Sequence, residues 1–124
     1  MTTATLVAGR ALDAMVAEKV MGWQFVPASK PEGHPRWTDG EDWFCAEKTC
    51  ISGGSPPAYS TDIAAAWQVV EELHRRFPDL TIEVGWSHET RQWFCQDYDE
   101  MNFGGAGSSA PLAICLAALR AVDG

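Results

Sequence analysis

The chain has 124 residues, 46% of them apolar and 21% charged, which suits one domain spanning 1–124 and excludes wholesale disorder. Nine Lys and Arg against 17 Asp and Glu leave a net charge of −8, and Arg75–Arg76 is the sole adjacent basic pair. Binding to duplex nucleic acid or an anionic membrane is therefore disfavoured, because both draw affinity from clustered cations.

The N-terminus lacks the basic start and apolar core of a secretory signal, and no apolar run approaches the ~20 residues of a membrane span. The expected location is the cytoplasm. From about Ala8 to Met21, Leu12, Met15, Val16 and Val20 recur at helical spacing, and Gly22 is placed to end the helix in a left-handed cap. The Pro-rich stretch Pro27 to Gly40 reads as a long surface loop, and Asp42 to Lys48 as a short strand. Gly53-Gly54-Ser55-Pro56-Pro57 reads as a second loop, leading to a helix that Ser60 or Thr61 would cap. In that helix Ile63, Ala66, Trp67, Val70, Leu73 and Phe77 form one apolar stripe, and Pro78 stops it.

Leu80 to Trp86 alternates, with Leu80, Ile82, Val84 and Trp86 on one face, and Arg91 to Tyr98 returns as the second arm of a hairpin. Gly104-Gly105-Ala106-Gly107-Ser108-Ser109 then reads as a loop into a last helix, from about Ala110 to Val122. The apolar residues of that helix cover more than one face, which predicts deep burial or a partner surface, here a homo-oligomer. Trp43-Phe44-Cys45 recurs as Trp93-Phe94-Cys95; the predicted elements around the two do not repeat, so the echo reads as two similar strands. The order predicts an α+β domain with a small, mostly antiparallel sheet flanked by three helices.

The blocks from Leu12 to Trp23, from Tyr59 to Trp67 and from Ala110 to Cys115 resemble the phage ABA sandwich domain family. The resemblance implies a three-layer αβα sandwich and a phage origin. Its motifs are helix caps and core stripes, so it implies no reaction and no catalytic residues.

Four cysteines, Cys45, Cys50, Cys95 and Cys115, stand without the two tight pairs that zinc ligands form, so ordinary reduced thiols outweigh a metal site with His34. His74 and His88 fall on a helix surface and a hairpin tip. The carboxylates Asp97, Asp99 and Glu100, and Glu41 with Asp42, are placed like solvated turn residues, and a hydrolase ranks behind two binding roles. No metal, cofactor or catalytic residue is expected.

The glycine-rich approach to the last helix carries the main functional expectation. Successive amides beside a helix N-terminus make an anion site, although neither a Walker loop nor a dinucleotide fingerprint is present. The expected ligand residues are Gly104, Gly105, Gly107, Ser108 and Ser109, with Trp37 stacking on a base and Arg91 or Arg36 assisting. The implied ligand is a nucleotide-like small molecule, held without chemical change. In a phage protein this would sequester a host immune messenger of the cyclic nucleotide or cyclic ADP-ribose type. On this reading Gly105→Val blocks the ligand and spares the fold. The alternative is an inhibitor or adaptor that meets a host protein through acidic charge and exposed tryptophan.

Overall fold

The structure, a computed structural model, describes residues 7–26, 42–45, 50–53, 56–97 and 104–123. Among these residues, three helices and six strands follow in the order α1 (Arg10–Lys19), β1 (Trp23–Val26), β2 (Asp42–Cys45), β3 (Cys50–Gly53), α2 (Ile63–Arg76), β4 (Ile82–Ser87), β5 (Gln92–Asp97), β6 (Gly104–Gly107) and α3 (Ala110–Asp123). The strands form two three-stranded sheets, β1-β2-β3 and β4-β5-β6, and every pairing is antiparallel. The α+β sandwich class is as expected. The strand count is not: β1, β3 and β6 lie where the sequence reads as loop or loop edge. Four-residue strands carry too little alternation to announce themselves, and Gly104–Gly107 carries almost no side chain at all.

The Trp-Phe-Cys echo gains a different meaning in this arrangement. α1 is followed by a three-stranded meander, and so is α2. Trp43-Phe44-Cys45 falls on the middle strand of the first sheet and Trp93-Phe94-Cys95 on the middle strand of the second. The surrounding elements do repeat, which corrects the reading of two similar strands in settings that do not repeat.

Helix ends follow local chemistry. After α1, the Met21 amide donates to the Val16 carbonyl (3.0 Å), and Gly22 takes a φ of 78°, the left-handed region that its sequence position suggests. The cap of α2 is Asp62, whose carboxylate accepts from the Ala64 amide (3.0 Å). Ser60 is not free for that role. Its amide (2.8 Å) and hydroxyl (2.6 Å) both donate to Oδ1 of the buried Asp13 on α1.

The core lies around α3, which packs on β4, β5 and β6 and also against α1 and α2. Ile114, Cys115, Ala117 and Ala118 are fully buried, with Leu12 and Val16 from α1, Val69 and Leu73 from α2, and Cys95 from β5. Burial on several sides accounts for the apolar surplus of α3, which leaves that surplus no argument for an oligomer. The buried face of α2 is Ala65, Ala66, Val69 and Leu73, so the expected stripe is rotated. Ile63 and Trp67 stand about half exposed (51% and 50%) because the alanine side of α2 allows the closer approach to α3. Trp86 is also half exposed, not buried as the strand alternation suggests. It sits near the far end of β4, the strand most distant from β6, and its ring meets that of Trp93 edge-on, 5.7 Å between centroids.

Candidate functional site

The glycine-rich segment is a strand laid on a helix. β6 pairs with β5 from Trp93↔Gly107 to Gln96↔Gly104 without a break. A Cβ added to Gly105 would lie 2.5 Å from the Ala117 nitrogen and 2.7 Å from the Ala113 carbonyl oxygen, both in the backbone of α3. One added to Gly107 would lie 2.7 Å from Leu112 side-chain carbons. These glycines are therefore the means by which β6 approaches α3, and the loop reading of Gly104–Gly107 is corrected to strand. In a strand, amides alternate in direction and do not converge as in an anion nest.

Ser109 is also engaged. Its hydroxyl accepts from the Leu112 amide (3.3 Å) and its carbonyl from the Ala113 amide (3.1 Å), so it caps α3.

A cavity of about 730 Å³ runs along β6, within the range of small-molecule sites. Gly104, Gly105, Gly107 and Ser108 line it, so the structure does bring these expected residues together. Ser109 is not part of the lining, and neither is Arg91, which sits in the β4–β5 turn with a φ of 57° and its amide on the Ser87 carbonyl (2.8 Å). Trp37 and Arg36 lie outside the described residues, as do His34 and the side chains of Cys45 and Cys50.

Since Gly105 faces α3, its pair partner Cys95 faces that way too, and Phe94 and Gln96 face the opposite side of the sheet. Gln92, Phe94 and Gln96 line the cavity from that outer side. Leu112, Leu116 and Arg120 line it from α3, one turn apart, on the flank that the core leaves partly open. The cavity thus wraps the outer edge of β6. Sequence reading missed this flank. The signal was present as the i, i+4, i+8 spacing Leu112–Leu116–Arg120, hidden in a helix that looks apolar all round.

Among the described lining residues, Arg120 is the one formal charge, and no carboxylate accompanies it. In a chain of net charge −8 that is a local reversal of sign. Among the described residues, no group of three or more His, Cys, Asp and Glu is placed to hold a metal.

Burial pushes the thiols of Cys95 and Cys115 up to about 12, with the Asp13 carboxylate adding to the effect at Cys115. Both are therefore protonated and unreactive near neutrality. Iodoacetamide at pH 8 should leave Cys95 and Cys115 unmodified in the native protein and modify both in urea, as peptide mass spectrometry will show. An ordinary thiol ionises near 9.0, so the unfolded chain loses these protons first. Stability should accordingly fall as pH rises from about 9 toward 12, and be insensitive to these groups below pH 8. Native-state alkylation of either residue would contradict this account.

The family described as Phage ABA sandwich domain matches residues 14–119. A solved phage protein from Bacillus cereus ATCC 14579 is similar in fold, with a TM-score of 0.66 and 21% identity. The similarity covers 99% of this chain and 94% of that one. No curated protein matches the sequence.

Proposed function

This chain belongs to the phage ABA sandwich domain family, and we propose that it acts as a non-catalytic binding protein whose β6–α3 cavity takes a small, phosphate-bearing, nucleotide-like molecule. The observation that carries this reading is Arg120, the lone charge among the described lining residues, none of which is a carboxylate. A phosphate there gains a charge-assisted hydrogen bond, and the outward amides of β6 add further donors. Phe94 offers the aromatic surface on which a base would stack, the role expected of Trp37. For a phage protein, such binding amounts to sequestering a host immune messenger, of the cyclic nucleotide or cyclic ADP-ribose type.

Calorimetry against cyclic oligonucleotides and cyclic ADP-ribose products tests this directly. At least one should bind below about 100 µM, close to 5.5 kcal/mol, and be recovered intact after the protein is denatured. Arg120→Glu should weaken that binding at least tenfold, the lower end of a charged hydrogen bond. A panel without a binder removes the reading, and a chemically altered ligand removes its non-catalytic part.

A second reading, capture of a protein partner, is favoured by a different observation. Trp67 and Trp86 are half exposed, and among the described residues β6 ends its sheet with one side unpaired.

A further inference from the structure

We infer that the outer edge of β6 takes an extended peptide as a fourth strand, with the peptide's C-terminal carboxylate against Arg120. This rests on the second reading above and names its partner.

Among the described residues, the order β4-β5-β6 makes β6 an edge strand, bonded to β5 on one side alone. Every second residue of β6 therefore directs an N–H and a C=O outward, donor beside acceptor. A phosphate uses the donors alone. A peptide backbone in the extended form uses both. Natural edges are commonly guarded by charged side chains, proline or a bulge. Gly104-Gly105-Ala106-Gly107 has no charge and no proline, and its register with β5 is unbroken.

The neighbouring helix supplies what an edge alone lacks. α3 runs back along β6: Gly107 meets Leu112, Gly105 meets Ala113 and Ala117, and Arg120 lies one turn further on, toward Gly104. Leu112 and Leu116 give the added strand an apolar wall for alternate side chains. A strand added antiparallel to β6, like every other pairing among the described residues, runs from the Gly107 end to the Gly104 end. Its C-terminus then arrives at Arg120. Direction, wall and charge agree on one occupant.

The test uses the full chain and fluorescein-labelled hexapeptides of alternating valine and threonine, read by anisotropy. Four forms are compared: a free C-terminal acid, a C-terminal amide, an amide carrying an internal glutamate, and an acid N-methylated at alternate residues. The free acid should bind, the plain amide at least tenfold more weakly, and the N-methylated form not measurably. Arg120→Gln should erase the difference between acid and amide. Glutamate restoring the amide's binding in full would overturn the assignment of a chain terminus. Binding that ignores N-methylation but is lost in Trp67→Ala or Trp86→Ala overturns strand addition and retains protein capture. If no peptide binds, strand addition is overturned, and the nucleotide panel decides the first reading separately.

Discussion

Gly105→Val should abolish the folded state, and Gly105→Ala should already cost about 3 kcal/mol or more, the upper range of overpacking in a core. The reason is what the new carbon meets. At 2.5 Å from the Ala117 nitrogen and 2.7 Å from the Ala113 oxygen, it strikes helical backbone, which cannot swing aside as a side chain can. Relief requires β6 to lift from α3, and that separates the second sheet from the helix at the centre of the core. With total stability for such domains at about 5–15 kcal/mol, the valine variant should have no cooperative unfolding transition in urea. Ala106→Val is the control, because Ala106 faces away from α3 and is exposed. It should shift stability by less than about 1 kcal/mol. A Gly105→Ala midpoint equal to that of the parent protein would defeat the packing argument. This corrects the expectation that Gly105→Val acts on a ligand alone.

The second large effect is expected at Asp13. Its Oδ1 accepts from both the amide and the hydroxyl of Ser60, and the hydroxyl oxygen in turn accepts from the Gly9 amide (2.9 Å). All of this is buried or nearly so. Asp13→Ala removes two hydrogen bonds to a charged acceptor and leaves the Ser60 amide buried without that acceptor, a loss of about 3–5 kcal/mol. Asp13→Asn keeps an oxygen at the same place and should lose less than half as much. Chemical denaturation of Asp13→Ala, Ser60→Ala and the double variant should give a coupling above about 1 kcal/mol. Strict additivity would show that the two residues do not act together.

What was legible in the sequence is what repeats at short range. α2 and the β4–β5 hairpin carry enough periodic apolar residues to fix their type, and Pro78 and Gly22 mark ends by backbone chemistry alone. The rotation of α2 was not legible. Ala65 and Val69 compete with Trp67 and Ile63 for the same core, and closeness of approach, not hydrophobicity, decides. Half of the candidate site was legible, because Gly104 to Ser108 stood out by composition. Their role did not, since a strand of glycines shows its pairing only when β5 is beside it. Arg120 was missed because a cation in the last turn of a helix has an ordinary explanation in the dipole. The bond from Asp13 to Ser60 spans 47 positions, and nothing local announces it.

That bond has a counterpart. At the other end of α2, the Arg76 guanidinium donates to the Val20 carbonyl just beyond α1 (2.6 Å), and Glu72 steadies the same arginine (2.9 Å). α1 and α2 are thus pinned to each other near their starts and again near their ends, and both press on α3. Two pins remove the freedom of either helix to slide or swivel against the other. α3 consequently occupies a slot whose width is set from outside it. The alanines Ala113, Ala117 and Ala118 are then a matter of clearance: a larger side chain there finds walls that are held in place and have no direction in which to yield.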